Sequence, residues 1–122
     1  MSKLDQLLQD IHNELGADLQ FIEIVGSDGL SIADEQFINI DTSVVAARFT
    51  MVAKLAAKVA DKLNIGEVED NLISTNTGMV LINELGDGSY IALLGLSNDA
   101  PLGVARMVIH DYDAQLWDAI PR

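Results

Sequence analysis

The sequence predicts an α+β fold in the order αββαβββα, with a five-stranded, mostly antiparallel sheet sandwiched between helices. Three observations carry this prediction. Apolar residues recur at helical spacing near both ends of the chain and along a longer central stretch. Ser27-Asp28-Gly29 and Gly86-Asp87-Gly88 each sit between short apolar runs, as hairpin turns do. The chain has 122 residues, 49% hydrophobic and 21% charged, which suits one ordered domain spanning 1–122.

Each element follows from its residues. Leu4, Leu7, Leu8, Ile11 and Leu15 make one stripe on a helix over 3–15, with Ser2 and Asp5 spaced as a capping box and Gly16 as its stop. Residues 19–26 form a strand in which only Gln20 and Glu23 are polar, so both of its faces are largely buried. After the turn, 30–33 alternates as a second strand, and 34–42 is a polar loop. Asp41, Thr42 or Ser43 can cap a helix over 43–64, which contains no Gly or Pro. Residues 67–76 form a polar strand, suited to a sheet edge. Strands over 79–85 and 89–96 complete a meander. Asn98 or Asp99 can cap the last helix, with Pro101 in its first turn and Leu102, Ala105, Ile109, Tyr112, Leu116 and Ala119 on its apolar stripe.

Composition excludes several functions. The chain has no Cys, so disulfides, thiolate metal sites and thiol catalysis are ruled out. Nineteen acidic against seven basic residues give a net charge of −12, ill-suited to nucleic acid or an anionic membrane. No apolar run approaches a membrane span, and the N-terminus lacks the apolar core of a signal peptide, so direct membrane insertion is not expected and the location is expected to be cytoplasmic. His12 and His110 are read as ordinary helix-surface or boundary histidines, and Asp34-Glu35 and Glu67/Glu69/Asp70 as solvated charge. Nucleophile-elbow, zinc-protease and phosphate-loop motifs are all missing. No catalytic residue, metal or cofactor is expected.

The central helix is the unusual element. Val45, Phe49, Val52, Ala56, Val59 and Leu63 form one stripe; Ala46, Thr50, Ala53, Ala57 and Ala60 form a second, of small residues; Val44, Met51 and Leu55 extend the apolar surface. Arg48, Lys54, Lys58 and Lys62 are four of the seven basic residues, set in an otherwise acidic chain. Two readings fit. The helix is a core helix with lysines snorkelling at its edges, or it has the sheet on one side and a protein partner on the other, the small stripe allowing close approach of a second copy. The second reading is expected here.

Three stretches carry a family resemblance. Ile24 to Ala33, with its Ser27-Asp28-Gly29 turn and Leu30-Ser31-Ile32-Ala33, resembles the first hairpin of the Roadblock family, also called the dynein light-chain seven family. Leu85 to Leu94 resembles its last hairpin. Asp99-Ala100-Pro101-Leu102-Gly103 resembles the entry to its final helix, particularly in the bacterial MglB-like branch. The resemblance implies a non-enzymatic domain related in fold to profilin and longin domains. It implies a homodimer in which the middle helices pack antiparallel and the third strands pair. It also implies a small Ras-like GTPase as partner, with the chain as activator or scaffold. On that resemblance the dimer contacts are Ala46, Thr50, Ala53, Ala57 and Ala60 with Leu72 and Ile73, and the GTPase-facing residues are Arg48, Met51, Leu55, Lys58 and Lys62. The competing reading is a structural adaptor of a motor or membrane-associated complex without GTPase contact.

Overall fold

The computed structural model describes residues 2–122. Helix α1 (Lys3–Leu15) opens on Ser2, whose hydroxyl oxygen accepts the Asp5 N–H at 3.1 Å and donates to the Asp5 carboxylate at 2.9 Å. This is the expected capping pair in a variant form, with the carboxylate taking the hydroxyl hydrogen. Gly16, at φ 65°, ends the helix, and a single 3₁₀ turn (Gly16–Asp18) leads into the sheet.

The strands are β1 (Leu19–Gly26), β2 (Ser31–Gln36), β3 (Asp70–Ser74), β4 (Gly78–Leu85) and β5 (Tyr90–Ser97). They form one sheet in the order β2-β1-β5-β4-β3, antiparallel throughout. Helix α2 (Thr42–Leu63) connects the first hairpin to the meander, and α3 (Leu102–Ala119) closes the chain. The expected order and fold class are therefore the observed ones.

Alternation along β1 assigns the two faces. Ile22 and Ile24 point to the layer of α1 and α3, where they pack with Leu8, Ile11, Leu94 and Ile109. Phe21 and Val25 point to the opposite layer and pack with Ile82, Ile91 and Leu93 under α2. Two strands differ from expectation by more than a residue at an end. β2 continues through Asp34-Glu35-Gln36, pairing Gln36 with Phe21, because an edge strand needs backbone partners on one side only and tolerates polar side chains. β3 is confined to five residues where ten were expected. The α3 cap is also corrected. Pro101 occupies the N-cap with no side-chain bond, and Asn98 and Asp99 stay exposed in the preceding turn.

Two glycines are fixed by what lies over them. A Cβ at Gly95 would overlap the Phe21 ring, which lies across its cross-strand partner. Gly86, at φ 54° in the β4–β5 turn, lies beneath the Trp117 indole of α3, and the Arg122 guanidinium covers that ring at 4.0 Å. Gly95→Ala should overpack the α2 layer and lower the unfolding free energy by about 1–3 kcal/mol in urea titrations.

Candidate interaction surface

Helix α2 begins at Asp41, whose carboxylate accepts the N–H groups of Ser43 and Val44 at 3.2 and 3.4 Å and the Ser43 hydroxyl at 2.7 Å. These bonds hold the Asp41 carboxyl below its ordinary pKa. It ends at Asn64 in the left-handed conformation, φ 57°. Between these caps the helix meets the sheet through its small residues. Ala46, Ala53 and Ala60 are buried, and Thr50 is buried with its hydroxyl donating to the Ala46 carbonyl at 2.9 Å.

This reverses the expected orientation. Ala46 and Ala53 are turned inward against the chain's own sheet and, with the buried Thr50, have no surface left for a second copy, while Ala60, also buried, lies at the floor of the groove beside β3. Ala57 faces an acidic hollow lined also by Asp61, Glu67, Glu84 and Asp87. The physical reason is clearance: Phe21, Ile82 and Leu93 already fill the sheet face, so the helix settles on them through small side chains, with Val45 and Phe49 packing half-buried beside them.

Most of the helix's large apolar residues consequently point outward, Val45 and Phe49 excepted. Met51, Leu55, Val59 and Leu63 follow one another at four-residue spacing and are 71%, 64%, 50% and 62% exposed. Burying one such side chain is worth about 1.5–3 kcal/mol, so this ridge is a large unsatisfied apolar surface. Its β3 side forms an open groove of about 740 Å³ with Val52, Ile65 and Val68, running to Glu69, Asp70 and Asn71. β3 itself is the last strand of the sheet, and its outer edge has no strand partner among the described residues. Leu72 and Ile73 lie on that edge half-buried, Leu72 against the α1–α3 layer and Ile73 against the α2 layer. Arg106 of α3 clamps the start of the strand, its Nε and Nη2 donating to the Asp70 carboxylate at 2.9 and 3.1 Å.

The other flank of the helix is basic. Arg48, Lys54 and Lys58 surround Met51 and Leu55 in a second shallow apolar depression, and Lys62 is exposed one turn further on. The structure thus brings Arg48, Met51, Leu55, Lys58 and Lys62 together on one accessible face.

Elsewhere the surface offers little chemistry. His12 stacks on Phe37 with ring centroids 3.7 Å apart, and His110 is exposed on α3. Among the described residues no three His, Asp or Glu side chains converge to hold a metal ion, and no helix is long and apolar enough to cross a membrane. Glu84 is raised in pKa, by burial first and by the Glu67 charge second. One residue without a role in the sequence reading stands out: Glu23 is fully buried with neither carboxylate oxygen hydrogen-bonded. A lone acid between Ile22 and Ile24 in a strand buried on both faces was the available signal.

Two helices on one face of a five-stranded antiparallel sheet, with a single long helix on the other, define the roadblock/longin-like class of α+β proteins. The Roadblock/LC7 domain model matches residues 4–95, and the chain belongs to that family. Its fold is similar to that of Myxococcus xanthus MglB (TM-score 0.85, 17% identity, 97% of this chain and 94% of that one). It is similar also to the gliding protein MglB of Thermus thermophilus (TM-score 0.84, 14% identity, 96% and 87%). A further structure, described as MglB with a tetrameric arrangement, has a TM-score of 0.85, 14% identity, and coverage of 96% and 87%. At these identities the likeness to MglB is one of fold. A comparison with curated proteins gives no match.

The inward orientation of the small stripe has a direct consequence. Ala53→Glu should bury an unpaired charge against the sheet and lower stability by about 3–5 kcal/mol, read as a collapse of the thermal midpoint.

Proposed function

We propose that residues 1–122 form one roadblock-type domain that pairs with a second copy and acts, without catalytic residues of its own, as a cytoplasmic regulator or scaffold for a small Ras-like GTPase. The observation that carries the reading is the exposed ridge of Met51, Leu55, Val59 and Leu63, continuous through an apolar groove with the open edge of β3. A helix face joined to an open strand edge offers a second copy both apolar side chains to bury and backbone groups to pair.

Charge divides the surface in two. Glu67, Glu69 and Asp70 border the β3 side of the groove, while Arg48, Lys54 and Lys58 line the opposite flank of the helix. A two-fold axis beside the groove closes the apolar side and leaves the basic flank outward. The contact residues are then Val52, Leu55, Val59 and Leu63 with Leu72 and Ile73 on the paired edges, in place of the alanine stripe. Leu55 lies on the seam between the two surfaces. The flank of Arg48, Met51, Lys54 and Lys58 remains free in such a pair and is the surface for the GTPase, the partner that the family resemblance implies.

Leu55→Glu should convert a particle of twice the chain's mass into one of 13.2 kDa in light scattering, with the fold retained by circular dichroism. Lys54→Glu/Lys58→Glu should leave the pair intact and abolish co-elution with a small Ras-like GTPase loaded with a GTP analogue. Intact pairing and unchanged co-elution in all variants would overturn the proposal. Recovery of motor or membrane-complex subunits without any GTPase would favour the adaptor reading.

A further inference from the structure

The first hairpin and the start of α2 enclose an acid that the proposed pairing does not use. Glu23 lies at the centre of β1 and points to the α2 layer, between Phe21 and Val25. It is completely shielded from solvent, and neither carboxylate oxygen has a hydrogen-bond partner. An ionised carboxylate left bare in such a place is strongly disfavoured.

Its surroundings offer no positive charge. Directly across the ladder on β2 stands Asp34, and on the β5 side stands Leu93. From α2 the N-cap Asp41 adds a third carboxylate. The Ser31 and Thr42 hydroxyls lie close enough to favour the ionised form without hydrogen-bonding to it, and burial outweighs them. Around the acid runs a polar lattice joining β2 to the helix start. Gln36 Nε2 donates to Asp34 at 3.0 Å and reaches Thr42 Oγ1 at 3.4 Å, while the Thr42 hydroxyl donates to Asp34 at 3.3 Å. Asp34 is thereby occupied by donors, and the remaining uncompensated group is Glu23.

We propose that Glu23 is a proton-binding site: the chain folds with this carboxyl protonated, and loss of the proton loosens the seat of the first turn of α2 on the β1–β2 hairpin. The device couples pH to the helix that presents the interaction surface, yet it depends only on the fold and stands whether or not the pairing does. A metal ion is the other way to neutralise such a cluster, but no three of the described carboxylates and histidines converge to hold one.

The sign of the pH effect follows. Unfolded, Glu23 ionises near 4.5; folded, burial first and Asp34 and Asp41 after it push its pKa up to about 7. The folded chain binds the proton more tightly, so the stability that Glu23 contributes is fully present below about 4.5 and is lost as pH rises through about 7. Glu84 acts in the same direction and Asp41 in the opposite one, so the difference between wild type and Glu23→Gln isolates this residue.

The experiment measures thermal midpoints of wild type and Glu23→Gln from pH 4.5 to 8.5, with amide exchange of 31–36 and 42–46 corrected for intrinsic rates. The carboxyl carbon of Glu23 is followed by NMR in the folded wild type. The expected result is a wild-type midpoint that drops between pH 4.5 and 7 relative to the variant. It includes faster exchange in both segments at pH 8 in wild type alone, and a carboxyl titrating near neutrality. Parallel midpoint profiles, or a Glu23 carboxyl titrating near 4.5, would overturn the proposal. So would stabilisation of wild type but not Glu23→Gln by Mg²⁺ or Ca²⁺ at pH 8, which would assign the site to a cation.

Discussion

The contact between α2 and the sheet governs the rest of the molecule. The sheet face beneath the helix is already filled by Phe21, Val25, Ile82, Ile91 and Leu93, and the helix comes down on it through the buried Ala46 and Ala53, with Val45 and Phe49 half-buried beside them. Small residues permit a short separation between helix backbone and sheet, and dispersion contacts are strong only at short range. The choice fixes what the opposite side of the helix carries. Having placed alanines inside, the chain leaves Met51, Leu55, Val59 and Leu63 in water, against the ordinary preference for burying the largest apolar groups.

That inversion distinguishes the two faces of the sheet. The α1–α3 layer is self-sufficient: two helices bury Leu4, Leu8, Ile11, Ile109 and Leu116, and little large apolar surface is left beyond Val104 and Met107. The α2 layer is half finished. One helix spans a sheet that two helices cover on the other side, and the uncovered part runs to the β3 edge. Function is therefore expected where the core is incomplete, on α2 and β3, rather than in a polar pocket. The net charge of −12 has the same organisation, an acidic body with four of its seven bases on this one helix.

The sequence revealed what depends on local pattern. The α1 stripe and its Ser2 cap are written within sixteen residues, and the β1–β2 and β4–β5 hairpins are announced by Asp-Gly turns. What it concealed depends on partners far along the chain. Periodicity shows that α2 has apolar residues nearly all round, but which stripe meets the sheet is decided by the volume already filled from β1, β4 and β5. Asp34-Glu35-Gln36 looks like a loop because a strand at an edge is held by backbone bonds that side-chain polarity does not report. Pro101 displaced Asn98 and Asp99 as the α3 cap because its fixed φ suits the helix start without any side-chain bond. Glu23 was visible as the acid among Phe21, Ile22, Ile24 and Val25, and only the fold shows that nothing there compensates it.

The absence of cysteine makes the central claim open to a direct measurement. Single cysteines are introduced in turn at Leu55, Val59 and Leu63 on the ridge and at Gln115 on the exposed side of α3, and each variant is oxidised at low micromolar concentration. If the outward face of α2 joins two copies, at least one ridge cysteine cross-links rapidly into a covalent pair while Gln115→Cys stays single. Equal, slow cross-linking at all four positions, with every variant sedimenting as one chain, would contradict it.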